Sequence, residues 1–152
     1  MIRNVSFEET TFAPIPDKFE AGTPHVEGAI GTEAAIRFFL GLDYHQIFEH
    51  EQDLLNYGTQ SLRSIPEIKI FGEAKDKAPI ISFNLTGAHH SDVGQILDKQ
   101  GIAVRVGHHY TQPLLKKFGL TGTVRASFSI YNTREDVDKL VEGIIKAKRM
   151  LL

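Results

Sequence analysis

At 152 residues, with a net charge of −2 and 24% charged residues, the chain is long enough for one domain and too apolar to be disordered. It has no cysteine, which excludes a disulfide framework and thiolate chemistry. It has no basic excess of the kind nucleic-acid binders carry. No apolar run approaches the ~20 residues of a membrane span, and MIRNVSFEETTF lacks the charged-then-apolar layout of a signal peptide. A cytoplasmic protein with neither a nucleic-acid nor a membrane partner is the expectation.

The first twelve residues are rich in β-branched and aromatic side chains and read as one extended strand, closed by Pro14 and Pro16. FEAGTP, Phe19–Pro24, is a compact loop in which Thr23 offers a hydroxyl either as a helix cap or to a phosphate. Glu27–Leu42 reads as a helix, with Glu33 and Arg37 at ion-pair spacing and Gly28 and Gly31 marking close packing. Its GAIG lacks the Gly-Lys-Ser/Thr ending of a phosphate loop. Asp43 is placed to cap a second helix running to about Ser64. His45 and Glu49 stand four apart on it, but two ligands without a third make no metal site, so no metal is expected.

Ile68–Phe71 and Ile80–Leu85 read as strands, the second alternating Ile81, Phe83 and Leu85 with Ser82 and Asn84. His89 and His90 fall in a turn and are expected to face solvent. Ser91 or Asp92 should cap a helix that stops at Gly101. The next stretch, GIAVRVGHHYTQP, reads as a buried strand Ile102–Val104 ending in the cation Arg105. Gly107 breaks it, and a polar loop with His108, His109 and Tyr110 follows, closed by Pro113 before a short helix at Leu114–Phe118. Loops held by strands are where α/β proteins tend to put chemistry; a surface turn with incidental histidines is the alternative.

Thr121–Tyr131 is a strong strand, with Val124, Ala126, Phe128 and Ile130 on one side and Arg125, Ser127 and Ser129 on the other. An arginine in mid-strand must find an anion or reach solvent, and its fork of donors suits a carboxylate. Asn132 or Thr133 caps the last helix, whose acidic first turn and basic last turn match the helix dipole. The succession of elements suits an α/β two-layer sandwich with a small mixed sheet.

FEAGTP, VRVGHHYTQP and VRASFSIYNT, in that order and each followed by a helix, together resemble the C-terminal part of SufS-type cysteine desulfurases. These are pyridoxal-phosphate (PLP) enzymes of the class V aminotransferase group. The resemblance covers essentially the whole chain. It implies a linking segment at 1–24 that leaves a missing large domain, and a small C-terminal domain at 25–152.

The resemblance also implies roles. Arg125 would grip the α-carboxylate of an L-cysteine-like substrate, and Arg105 would stand at the rim. Thr23 would reach the PLP phosphate of a neighbouring subunit, and His108 and His109 would shape the loop. The family's nucleophilic cysteine should follow those histidines, where this chain has Tyr110. A phenol, with a pKa near ~10 against ~8.5 for a thiol, cannot hold a transferable sulfane sulfur. None of the ten lysines lies in the Ser-x-His setting of the family's PLP lysine, and PLP chemistry needs that amine. The implied reading is a domain that is inactive alone. Further readings are a non-enzymatic module that dimerises or binds a large-domain or sulfur-acceptor partner, and a part of a different class V reaction.

Overall fold

The computed structural model describes all 152 residues, which gather into two compact units, Met1–Leu42 and Asp43–Leu152. In the first, the N-terminal residues form a hairpin rather than one strand: β1 (Ile2–Val5) pairs antiparallel with β2 (Thr10–Phe12). Ser6 makes the reversal. Its hydroxyl accepts from the Glu8 and Glu9 amides at 3.2 and 3.1 Å, and a serine side chain that satisfies turn amides is a common way to reverse a strand. α1 (Val26–Leu40) follows, with the expected Glu33–Arg37 pair at 2.7 Å. No residue of α1 is buried, and its apolar side chains are spread around the axis. Gly28 lies against the His25 ring, as close packing predicts, whereas Gly31 faces open space.

In the second unit, α2 (Tyr44–Arg63) starts where the sequence places it. The Asp43 carboxylate accepts from the His45 and Gln46 amides at 2.9 and 3.3 Å. β3 (Ile68–Phe71) and β4 (Ile80–Leu85) form a hairpin, and α3 (His90–Asp98) leads to β5 (Arg105–Gly107). α4 (Gln112–Lys117), β6 (Thr123–Ser127) and α5 (Arg134–Leu151) complete the chain. The sheet order is β3-β4-β6-β5. Ile81, Phe83 and Leu85 of β4 and Val124 and Ala126 of β6 are buried together with Leu54 and Leu62 of α2, Val93 and Leu97 of α3, and Val137, Leu140 and Ile144 of α5. One face of the sheet therefore carries the core and its helices, giving the two layers.

The sheet is antiparallel throughout, not mixed. β4 and β5 do run in the same direction, as a helical crossover between them demands, but β6 inserts between the two, so no parallel pair forms. β5 also starts three residues later than expected, and it is largely exposed rather than buried. After α3, Gly101 takes a left-handed φ of +75° and the Ile102 amide turns back to the Leu97 carbonyl at 3.1 Å. A backbone engaged in a helix terminus cannot pair in a sheet, so Ile102 and Val104 pack on the core from a loop.

Three further expectations change. α3 is capped by His89, whose Nδ1 accepts from the Ser91 amide at 3.4 Å, and His90 is buried, not solvent-facing. Pro113 lies in the first turn of α4 instead of closing the loop, where its missing N–H costs nothing. The long strand ends at Ser127 because the Asn132 side chain takes the Ser129 amide at 2.9 Å.

Candidate substrate-carboxylate site

The pairing register sets four side chains in one cross-strand row on the sheet face opposite the core. They are Phe71 of β3, Ser82 of β4, Arg125 of β6 and Arg105 of β5. Directly opposed residues of adjacent strands point the same way. The face carries Arg125 because Val124 and Ala126, its alternates along β6, are committed to the core, and it carries Arg105 because that residue pairs directly with Arg125.

Arg125 is half-buried, and its Nε is fully buried with no acceptor. The chain's ion pairs do not include it. It lines a cavity of about 330 Å³ together with His109, Thr111, Ser82 and Thr123, and an apolar wall that includes Phe71, Leu115 and Phe118. No carboxylate lines this cavity. A buried guanidinium donor without a partner is costly, and in a hollow free of negative charge it is a ready receptor for an anion. A larger open groove runs along α1, but its two charged groups, Glu33 and Arg37, already bind each other.

The loop after β5 reaches the same hollow through His109. His109 and Tyr110 both hold left-handed φ values, +51° and +60°, which non-glycine residues adopt uncommonly and mostly in constrained loops. The turn is fixed by His108. Its Nδ1 accepts from the Tyr110 amide at 3.0 Å, and its carbonyl accepts from the Thr111 amide and hydroxyl at 2.8 and 3.0 Å. His109 Nε2 lies 3.2 Å from the Thr123 carbonyl and 2.9 Å from its hydroxyl. A carbonyl only accepts, so we assign the ring hydrogen to Nε2. Nδ1 is then a lone-pair acceptor, and it is buried with no partner. Burial lowers the His109 pKa below the ordinary imidazole value, and the neighbouring Arg125 charge lowers it further, against the bond to Thr123. The ring is neutral near pH 7.

Within the second unit, Arg105, His108 and Tyr110 do not line the cavity. Arg105 is exposed on the edge strand, with its guanidinium 5.7 Å from the centre of the Tyr110 ring. The Tyr110 ring is 86% exposed and stands edge-on to His108. Thr23, in the first unit, is exposed, and it does not cap α1, whose N-cap is His25. The capping role considered for Thr23 is thereby excluded, and its hydroxyl makes no hydrogen bond. His45 and Glu49 meet at 3.4 Å on the surface of α2. Sequence reasoning missed Thr123, Ser82 and the apolar wall. Thr123 and Ser82 could have been found from alternation, since each shares the Arg125 face of its strand.

A family model for aminotransferase class-V matches residues 1–140. The chain belongs to this family. It is 44% identical over 149 residues to a protein of Staphylococcus epidermidis named Probable cysteine desulfurase, covering 97% of this chain and 36% of that one. It is 43% identical over 151 residues to a protein of the same name from Vibrio cholerae, covering 99% and 37%. Among solved structures it resembles the cysteine desulfurase CsdA from Escherichia coli, with a TM-score of 0.83 and 39% identity over all of this chain and 38% of that one. It also resembles the apo cysteine desulfurase from Thermococcus onnurineus NA1, with a TM-score of 0.79 and 38% identity over 97% and 38%. The chain thus spans a little over one third of the length of the relatives it matches. No helix is long and apolar enough to cross a membrane.

Proposed function

We propose that this chain acts as the small-domain part of a cysteine desulfurase-like enzyme, in which Arg125 receives the α-carboxylate of an L-cysteine-like amino acid. The observation that carries this reading is the buried, acceptor-free Nε of Arg125 in a cavity without carboxylates. Arg105, exposed on the same face, stands at the rim and adds positive charge. His108 and His109 shape the loop. Thr23 keeps a free hydroxyl suited to the PLP phosphate of a neighbouring subunit in a homodimer.

The residues of this chain do not fit the whole cofactor. PLP chemistry requires a lysine amine at the reacting centre, and no lysine lines the Arg125 cavity. Lys77, whose pKa is lowered by burial, donates to the Gly72 carbonyl at 2.7 Å. No step through the cofactor is therefore assigned to this chain, and Tyr110 supplies no sulfur acceptor. The chain alone is inactive in sulfur transfer and acts with a large domain, in which the cytoplasmic assembly of iron–sulfur clusters would be the setting.

A second reading is an interaction module that pairs with itself, with a large-domain partner or with a sulfur-acceptor protein. The observation that favours it is α1, whose large apolar side chains are all exposed, because contiguous exposed apolar surface marks interaction sites.

The test is titration of the chain with L-alanine and propanoate, following the arginine Nε–H signals by NMR. Arg125 should shift saturably, and Arg125→Met should abolish the response. An unmoved Arg125 signal overturns the carboxylate assignment. After incubation with PLP and borohydride, no lysine should carry a PLP-derived mass; a single stoichiometrically modified lysine would overturn the inactive-alone reading.

A further inference from the structure

We infer that His109 is a second recognition residue of the Arg125 hollow, whose Nδ1 accepts a hydrogen bond from an N–H or O–H on the carbon beside the ligand's carboxylate. This role rests on Arg125 as the carboxylate receptor and goes beyond the shaping of the loop.

The ring is held from two sides. Its Nε2 lies 2.9 Å from the Thr123 hydroxyl and 3.2 Å from the Thr123 carbonyl. Thr123 is itself buried in β6, so the anchor belongs to the sheet and not to the loop. A carbonyl takes only a donor, which puts the ring hydrogen on Nε2 and leaves Nδ1 as a lone pair. The His109 backbone is fixed as well, at a left-handed φ of +51°. Turning Nδ1 toward another partner within the chain would break the bond to Thr123.

Nδ1 is buried without a hydrogen-bond partner, and so is Arg125 Nε. An unmet buried acceptor is costly in the same way as an unmet buried donor. The two orphans are complementary, since one gives a hydrogen and the other takes one. Both residues line the same hollow. Burial first, and then the Arg125 charge, lower the His109 pKa, which places the guanidinium close to the ring.

The other polar side chains of the hollow are the hydroxyls of Ser82, Thr111 and Thr123, which can donate or accept. Nδ1 of the neutral ring can only accept. A plain carboxylate therefore satisfies Arg125 and leaves Nδ1 unmet, whereas an α-amino or α-hydroxy acid satisfies both. A site with a buried polar group discriminates against an analogue that lacks its partner.

The experiment uses the whole chain and three probes, propanoate, L-lactate and L-alanine, titrated by NMR. The Arg125 Nε–H signal reports occupancy, and the imidazole nitrogen shifts report His109. In the free chain the His109 hydrogen should be found on Nε2. L-Lactate or L-alanine should bind about tenfold more tightly than propanoate and should move the Nδ1 signal, and whichever does so identifies the donor as hydroxyl or ammonium. Propanoate should move Arg125 alone. His109→Phe, which keeps a ring and removes both nitrogens, should bring the two substituted acids to the affinity of propanoate. The signals of the unaltered chain decide the matter if that variant fails to fold. An Nδ1 signal that no probe moves, a hydrogen found on Nδ1, or equal affinity for three acids that all shift Arg125 overturns this role and leaves the carboxylate assignment standing. If no acid moves Arg125, the carboxylate assignment itself falls, and this role falls with it.

Discussion

α1 and α5 are similar in length and opposite in design. α5 carries an apolar stripe, Val137, Leu140, Ile144 and Ala147, and every one of those residues is buried, while its charges lie on the other side. α1 is richer in apolar residues, yet Val26, Ile30, Ile36, Phe38, Phe39 and Leu40 are all exposed. The contrast extends to the units that contain them. Residues 43–152 have a continuous core drawn from one sheet and three helices, whereas no large apolar side chain in residues 1–42 is buried. Apolar content alone therefore does not make a core. A helix that is apolar on one side buries that side within its own unit; α1, whose apolar residues are spread around the axis, buries none of them.

The largest expected break in this contrast is in stability. Leu62→Ala, at a fully buried position of α2, should cost about 2–5 kcal/mol through lost burial and the cavity left behind. Ile36→Ala, at 54% exposure in α1, should stay within about 0.5 kcal/mol. Urea unfolding of both variants checks the pair, and equal losses would mean that α1 is packed as tightly as α2.

A smaller effect separates two helix glycines. A methyl group at Gly94 in α3 would collide with the Val106 side chain of β5, so Gly94→Ala should destabilise by about 1–3 kcal/mol through overpacking. It should also loosen the β5–β6 edge that precedes the His108–Tyr110 turn, visible as faster amide exchange at Val106. Gly31 has open space around its Cβ position, and Gly31→Ala should stabilise α1 by up to about 1 kcal/mol from helix propensity. The two alanines should thus move thermal midpoints in opposite directions.

The smallest effect is a pH dependence confined to the second unit. Burial lowers the His90 pKa, with the charges of His89 and His109 lowering it further and Asp92 opposing; His109 is lowered by burial and by Arg125. Each ring therefore takes up its proton more readily unfolded, where the pKa is about 6.5. Stability is full above that pH and declines as pH falls through the depressed native values. His90→Asn should flatten this decline, measured as the urea midpoint between neutral and mildly acidic pH. A slope unchanged by that substitution would assign the acid sensitivity elsewhere.

Much of the fold was legible because its signals are local. Asp43 announces α2 through a carboxylate two and three residues from the amides it caps, and the alternation Ile81–Phe83–Leu85 announces a strand with one buried face. Arg125 was legible for the same reason, as a cation among apolar alternates. Two of the misreadings were competitions between nearby partners. Ile102–Val104 has the composition of a strand, but its amide is claimed by the α3 terminus. Thr23 has the chemistry of a cap, but His25 stands closer to the helix.

Composition and motif order by themselves determined the α/β class, the absence of any thiol, and membership in a family of which this chain spans about a third. Periodicity and capping chemistry act over a few residues, so they can be read along the chain. Only tertiary structure decided that β6 lies between β4 and β5. That insertion sets Phe71, Ser82, Arg125 and Arg105 in one row and makes a hollow that His109 closes. Cross-strand register depends on which distant backbones satisfy each other's hydrogen bonds, and no local pattern carries that information.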